Sequence, residues 1–145
     1  MQAYRAAPRP LGELVADFLA VPPGLTVSDL TLDSRAAIPG ALFLACRGRT
    51  HHGLRFAAEA VARGARAVLY EPDEAAAAPP RLPAEVFVAP LPALSERAGL
   101  IADRFFGAPS ERLTVAGITG TNGKTTCASS RAATWGRSAS VCRRR

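Results

Sequence analysis

The sequence predicts an α/β fold: a small domain with a mixed or parallel sheet, then the first strand and phosphate-binding loop of a second domain. Over residues 11–108, short apolar segments suited to strands alternate with amphipathic segments suited to helices. One of these helices lies between two strands and is joined to the second by a short link, an arrangement that implies parallel pairing. An apolar run at 113–118 then leads directly into a loop that contains two glycines.

The first part of the chain predicts a leader, a helix and two strands. Residues 1–10 carry two prolines and two arginines and are expected to form a loose leader. A short amphipathic helix follows and ends at Pro22 and Pro23. Its apolar stripe is Leu11, Leu14, Val15, Phe18 and Leu19. Leu30 and Leu32 alternate with polar neighbours, which predicts a half-buried strand over 27–33, and the apolar run 41–46 predicts a strand covered on both faces.

The next part predicts two further helices and two further strands. A helix with small inward residues should end at Gly64, and its inner stripe is Phe56, Ala57, Ala60 and Val61. Strands are predicted at 67–70 and 86–88, with an exposed connection over 71–83 between them. The last helix should have Pro92 near its first turn and end at residues 107–109, where we place a domain boundary. Its apolar stripe is Leu94, Ala98, Ile101, Ala102 and Phe105.

The loop after the 113–118 run has the order of residues that a phosphate-binding loop requires. Its glycines let the backbone approach a ligand closely, and the helix that follows would add its positive N-terminal end. Lys124 is suited to the outer phosphates of ATP, and the hydroxyl of Thr125 is suited to the accompanying Mg²⁺. Ile118 stands where the common pattern has a glycine, so this loop is a shorter form. The predicted ATP-binding residues are Gly120, Thr121, Asn122, Gly123, Lys124, Thr125 and Thr126.

Charge and cysteine content argue against several classes of protein. The 145 residues include 18 basic and 12 acidic side chains, a net charge of +6. Five of the arginines lie after Lys124, so the rest of the chain is nearly neutral and a nucleic-acid-binding role is not expected. The three cysteines are far apart and suggest neither a zinc site nor a disulfide framework. With no signal peptide or membrane span evident, we expect a cytoplasmic protein that does not insert into membranes.

Two polar segments follow predicted strands and are candidate binding elements. Asp33-Ser34-Arg35 follows the strand at 27–33, at the end of the strand where α/β proteins bind ligands. A polar loop over 47–53 follows the strand at 41–46 and contains His51 and His52. Adjacent histidines point apart, so hydrogen bonding is the more plausible role for this loop than metal binding. Cys46 is interpreted as a small buried hydrophobic residue rather than a nucleophile.

The segment over 128–145 does not fit the pattern of the preceding residues. A helix that follows a P-loop should show apolar periodicity, because it packs on a sheet, and this basic segment has almost none. We interpret it as an aberrant tail, caused by a premature end or a shift of the reading frame. Residues 109–127 are then only the start of an ATP-binding central domain, after a first domain at 11–108.

Three segments of the sequence resemble the Mur ligase family. The first is Thr31-Leu32-Asp33-Ser34-Arg35 with the Pro39-Gly40 segment that follows it. The second is residues 48–53 with Phe56, and the third is residues 119–126. The resemblance covers about residues 11–127 and implies a Mur ligase N-terminal domain that holds the UDP end of the substrate, followed by a P-loop NTPase-like central domain.

The resemblance also implies positions for the substrate site. Leu32 and Ser34 would contact the UDP moiety, and a second wall of the pocket would come from Arg49, Thr50 and His51. For Asp33 and Arg35, direct ligand contact and a purely structural role in pairing and capping both remain open. His52 stands where the family usually has an acid.

The activity implied by the resemblance is ATP-dependent, ADP-forming amide ligation in peptidoglycan precursor synthesis. The substrate would be a UDP-MurNAc-dipeptide, namely UDP-MurNAc-L-Ala-D-Glu. The enzyme would add the third residue of the stem peptide, diaminopimelate or lysine, to it. Lys124 would stabilise charge on the transferring phosphoryl group, with ATP and Mg²⁺ as cofactors and a monomer expected. The chain as written is expected to be an inactive fragment. The alternatives are a UDP-sugar-binding module without catalysis and the ligase that adds the terminal D-Ala-D-Ala dipeptide.

Overall fold

The fold is described from a computed structural model, which describes residues 7–48, 50–73 and 80–111. The chain divides into two units, Met1–Arg112 and Leu113–Arg145, and all described residues belong to the first. The predicted strand at 113–118, the P-loop and the tail therefore lie outside the described residues. The predicted domain limits stay predictions as well.

The described residues form two sheets and three α-helices, and most of the predicted elements are present. β1 and β2 pair antiparallel, and β3 to β6 form a four-stranded parallel sheet in the order β3-β4-β5-β6. The parallel pairing predicted from the helix between strands is confirmed. The strands are β1 (Arg9–Pro10), β2 (Thr26–Val27), β3 (Asp29–Thr31), β4 (Ala41–Ala45), β5 (Ala67–Tyr70) and β6 (Phe87–Pro90). The helices are α1 (Leu11–Val15), α2 (Ala57–Ala62) and α3 (Leu94–Phe105), with 3-10 turns at Ser34–Ala36, Gly53–Phe56 and Pro109–Glu111.

Helices cover both faces of the parallel sheet. On one face, Ala57 and Ala60 of α2 belong to a core cluster with Phe43 and Val68, and the small side chains bring the helix backbone close to the strands. On the other face, α1 and α3 pack against Leu42, Leu44 and Leu69 with larger apolar side chains. All five residues of β4 are buried, as the uninterrupted apolar run predicts.

The predicted strand over 27–33 is wrong in its extent. The segment forms two short strands, β2 and β3, and ends at Thr31. Leu32 lies beyond the strand with 59% of its surface exposed, whereas Thr31 is only 8% exposed. The Thr31 hydroxyl can be buried because it accepts a hydrogen bond from the Asp33 N–H and donates one to the Asp33 carbonyl, both at 3.0 Å.

Other boundaries differ from the predictions by smaller amounts. Helix α1 ends at Val15. Phe18 lies in the turn that follows, and its N–H donates to the Val15 carbonyl at 2.8 Å. Phe56 was predicted to face inward but is 42% exposed, because it belongs to the 3-10 turn before α2. Pro92 lies two residues before α3, near its first turn as predicted. The predicted end of α2 is confirmed at Gly64, whose φ of +109° suits glycine.

Because β3 to β6 are parallel, their carboxyl ends lie along one edge of the sheet. The turn over 31–35 follows β3, the loop over 47–52 follows β4, Glu71 follows β5, and α3 begins shortly after β6. Ligands of open α/β sheets bind beyond this edge. Within the described part of the chain, no helix is both long and apolar enough to cross a membrane.

Candidate functional site

The turn over 31–35 is closed largely by its own residues. The Asp33 carboxylate accepts the N–H of Arg35 at 3.0 Å and so caps the 3-10 turn Ser34–Ala36. The Arg35 guanidinium returns to the same carboxylate through Nε and Nη2, at 3.0 and 2.8 Å. These are the capping and pairing roles that the sequence left open for Asp33 and Arg35. Both side chains are exposed, so this pair adds little stability at neutral pH.

The electrostatics of the turn follow from this pair. The side-chain and backbone hydrogen bonds from Arg35 lower the pKa of Asp33 from 3.8 to about 2. The same contact raises the pKa of Arg35. The turn therefore carries a fixed negative and a fixed positive charge at any pH near neutrality.

Ser34 joins the turn to helix α2. Its side chain is buried, and its hydroxyl donates to Glu59 Oε2 at 2.7 Å. Glu59 also pairs with Arg63 one helical turn later, with 3.4 Å between Oε1 and Arg63 Nη2. Because the only hydroxyl hydrogen of Ser34 points to Glu59, Ser34 could meet a ligand only as a hydrogen-bond acceptor. Leu32, in contrast, offers an exposed apolar side chain at the same edge.

In the loop over 47–52, the described residues on the two sides of position 49 pair with each other, and Thr50 and His51 are exposed. Arg47 and His52 form an isolated antiparallel bridge, and the Gly48 N–H donates to the His51 carbonyl at 3.2 Å. A Cβ at Gly48 would lie 2.5 Å from that carbonyl oxygen, so only glycine fits there without a shift of the backbone. Outside the loop, Arg55 Nη1 lies 3.3 Å from His51 Nδ1.

His52 is used within the chain through both ring nitrogens. Nδ1 accepts the N–H of Leu54 at 3.1 Å and caps the 3-10 turn Gly53–Phe56. Nε2 lies 2.8 Å from the carbonyl oxygen of Glu71, so it carries the hydrogen and donates. This agrees with the predicted hydrogen-bonding role of the loop. Among the described residues, no group of three or more potential ligands could hold a metal ion.

Glu71 is the residue of this edge that the sequence analysis missed, because it was assigned to an exposed connection over 71–83. Its carboxylate Oε2 accepts the N–H of Arg47 at 3.1 Å and also the hydroxyl of Ser95 in the first turn of α3. Partial burial raises the pKa of Glu71, but these hydrogen bonds outweigh it, and the pKa lies below its ordinary value. Its position directly after β5, at the ligand-binding edge, was the available sequence signal.

Cys46, which lies between β4 and the loop over 47–52, fits the structural interpretation made from the sequence. It is half-buried, and burial raises the pKa of its thiol. A thiol with a raised pKa is a poor nucleophile at neutral pH because little of it is ionised. Cys46 is also among the partly buried residues that pack against the α1 and α3 side of the core.

The predicted substrate-site residues that the structure describes lie in two neighbouring connections. Leu32 and Ser34 belong to the turn after β3, and Thr50 and His51 belong to the loop after β4, its partner strand. Arg49 lies outside the described residues. So do the predicted ATP-binding residues, including Lys124 and Thr125, and the ATP and Mg²⁺ assignments stay predictions.

Two curated relatives are similar to this chain in sequence. A UDP-N-acetylmuramoyl-L-alanyl-D-glutamate--2,6-diaminopimelate ligase from Xanthomonas campestris pv. campestris is 46% identical over 115 residues, which are 79% of this chain and 22% of the relative. A ligase of the same name from Ectopseudomonas mendocina is 45% identical over 81% of this chain and 23% of its own length. The chain thus spans less than a quarter of the length of these two curated relatives.

A solved structure supports the fold, and a family model covers most of the described residues. The solved structure is the UDP-N-acetylmuramoylalanyl-D-glutamyl-2,6-diaminopimelate--D-alanyl-D-alanyl ligase from Acinetobacter baumannii. It superposes with a TM-score of 0.53 and 23% identity, over 83% of this chain and 26% of that one. The family model, described as "Mur ligase family, catalytic domain", matches residues 26–106. The matched region contains the whole parallel sheet and both connections of the site, and the chain therefore belongs to the Mur ligase family.

Proposed function

We propose that this chain supplies the uridine-nucleotide site of an ATP-dependent ligase that adds diaminopimelate to UDP-MurNAc-L-Ala-D-Glu in peptidoglycan synthesis. The observation that carries the proposal is the shared edge of β3 and β4, from which the turn over 31–35 and the loop over 47–52 both extend. The names of the 45–46% identical relatives supply the substrate and the amino acid.

Each described residue of the proposed site has a distinct role. Leu32, exposed and apolar, provides a surface on which the uracil ring can pack. Thr50 and His51 lie on the connection after the neighbouring strand β4, where they are exposed and can hydrogen-bond the ribose or the diphosphate. Ser34 accepts a ligand N–H or orders the turn through Glu59. Arg49 completes this second wall by its place in the motif.

The ATP part of the proposal depends on the motif over 120–126. Its backbone amides and Lys124 would hold the phosphates, Thr125 would ligate Mg²⁺, and the bound nucleotide would supply the phosphoryl group that activates the substrate carboxylate. We further propose a cytoplasmic monomer that does not bind nucleic acid. The distribution of charge supports the absence of nucleic-acid binding, since five of the six excess positive charges lie within residues 131–145.

Isothermal titration calorimetry on the complete 145-residue chain tests the site. UDP and UDP-MurNAc-L-Ala-D-Glu should both bind saturably. Leu32→Ser should weaken UDP binding by about tenfold, because a covering apolar contact is worth about 1.5 kcal/mol or more. Leu100→Ser is the matched control, because Leu100 is also an exposed leucine (45%) but lies in α3. Absence of UDP binding by the wild-type chain would contradict the proposal.

Lys124→Ala separates the two nucleotides. It should weaken ATP binding strongly and leave UDP binding unchanged, because the two predicted sites share no residue. Because the chain is expected to be inactive, it should release no phosphate in the presence of ATP, Mg²⁺, UDP-MurNAc-L-Ala-D-Glu and diaminopimelate, and turnover would overturn that expectation. Equal ATP affinity of the wild type and the variant would refute the P-loop assignment.

A further inference from the structure

A single residue, Glu71, holds both ends of the loop over 47–52. Its backbone carbonyl accepts from His52 Nε2 at 2.8 Å, and its carboxylate accepts from the Arg47 N–H at 3.1 Å. Arg47 and His52 are also the two residues that bridge the loop to itself. The first and last residues of the loop therefore meet at Glu71, whose own N–H donates to the Ala45 carbonyl at 3.2 Å and continues the β4–β5 ladder.

Two further contacts connect this arrangement to the rest of the fold. Ser95, in the first turn of α3, donates its hydroxyl to the same carboxylate oxygen of Glu71. Asp73, two residues after Glu71, lies 3.3 Å from Arg47 Nε and forms an ion pair with it. The loop after β4, the residue after β5 and the helix after β6 are thus joined through one carboxylate.

The described residues of the loop are held by these outside contacts in addition to the Arg47–His52 bridge and the Gly48–His51 hydrogen bond. Thr50 and His51 are exposed and bury little apolar surface, so their own packing does little to order the loop. Ordering a polar loop when a ligand binds costs conformational entropy and lowers affinity. A loop that is already held in place avoids part of this cost.

We propose that Glu71 is a positioning residue for uridine nucleotide binding: it holds the loop over 47–52 in the geometry that forms the second wall of the pocket. This inference rests on the proposed function, because it takes that loop as a substrate wall. Glu71 acts through the Arg47 amide, the His52 ring and the Ser95 hydroxyl, and it needs no ligand contact of its own.

Two substitutions at Glu71 separate the hydrogen-bonding role from the bulk of the side chain. Glu71→Ala removes the acceptor of both the Arg47 N–H and the Ser95 hydroxyl, whereas Glu71→Gln keeps one acceptor oxygen and loses the charge. We expect the dissociation constant of UDP, measured calorimetrically on the complete chain, to rise about tenfold in Glu71→Ala and by a smaller factor in Glu71→Gln. Ser95→Ala should also weaken UDP binding, by less than Glu71→Ala.

Glu85 provides the matched control. It is an exposed glutamate that precedes β6, at the opposite edge of the sheet from Glu71. Glu85→Ala and Glu85→Gln make the same chemical changes and should leave the UDP dissociation constant unchanged. Equal losses at Glu71 and Glu85 would mean that overall charge, and not the position of the loop, controls binding.

Nuclear magnetic resonance of the unliganded chain measures the order of the loop directly. The heteronuclear NOE of Gly48, Thr50 and His51 should fall in Glu71→Ala and recover partly in Glu71→Gln. If the wild-type chain binds no UDP, the proposed function fails, and this measurement then decides the role of Glu71 alone. UDP affinity equal to wild type in Glu71→Ala, or an unchanged loop NOE, overturns the inference. If Glu71→Ala does not fold, the same criteria apply to Glu71→Gln and Ser95→Ala.

Discussion

The turn over 31–35 and the loop over 47–52 lie at the same edge of the sheet but are held by different kinds of contact. In the turn, the side chains of Thr31, Asp33 and Arg35 bond to residues two positions away, and among these described side chains only that of Ser34 hydrogen-bonds to a distant partner. The ends of the loop are bound to Glu71, which lies 19 and 24 residues away in sequence. Locally closed turns keep their geometry when neighbouring elements shift, so the loop should be the more sensitive wall of the site.

Of the substitutions that test this difference between loop and turn, Gly53→Ala, directly after the loop, should cause the largest loss of stability. A Cβ at Gly53 would lie 2.8 Å from both the Ala45 Cα and the Cys46 carbonyl oxygen, and these backbone atoms cannot move aside cheaply. We expect a loss of about 2–3 kcal/mol in the free energy of unfolding, measured by urea denaturation, and weaker UDP binding. The 31–35 turn should keep its amide chemical shifts.

Gly12→Ala is the control for this change. No atom lies within 4 Å of the Cβ position at Gly12, which is in helix α1. Alanine should there be neutral or stabilise by up to about 1 kcal/mol, through its better helix propensity. Equal stability of Gly53→Ala and the wild type would show that the backbone at the end of the loop is free to adjust.

A smaller effect is expected at the side-chain hydrogen bond that joins the turn to α2, from Ser34 to Glu59. Ser34→Ala removes a hydrogen bond to a carboxylate, and the free energy of unfolding should fall by about 1 kcal/mol. Glu59→Ala also breaks the pair with Arg63, so a double-mutant cycle is needed to isolate the Ser34 contact. A coupling energy near zero between Ser34 and Glu59 would contradict the assigned anchor.

The smallest effect should be the titration of Asp33. Arg35→Gln removes the strongest cause of the lowered pKa, so the carboxyl midpoint, followed by NMR, should rise from about 2 toward 3.8. Because the pKa in the folded protein is the lower one, the pair stabilises the fold above pH 3.8 and this contribution is lost as pH falls through about 2. Stability at pH 7 should barely change, since the pair is exposed. An unchanged midpoint would remove Arg35 as the cause.

The pattern of apolar residues predicted most strands of the sheet, but it predicted the ends of the strands less accurately. The runs at 41–46 and 67–70 correspond to β4 and β5, because strands covered on both faces must be apolar throughout. Leu32 and Thr31 were assigned to the wrong environments. Hydrophobicity favours a buried leucine, but the chain turns at Thr31 and its hydroxyl finds both of its partners within Asp33.

The local sequence was sufficient for the helix-and-strand order, the parallel pairing and the positions of the two candidate connections, because these follow from short-range periodicity and from the geometry of a helix between strands. The closing bonds of the turn also lie within a few residues, which is why capping and pairing of Asp33 and Arg35 could be named from the sequence as one of two open alternatives. The roles of Glu59, Glu71 and Ser95 were decided only by the tertiary structure. Each of them lies far along the chain from its hydrogen-bond partner. Only the packing of strands and helices brings each carboxylate within hydrogen-bonding distance of its donor.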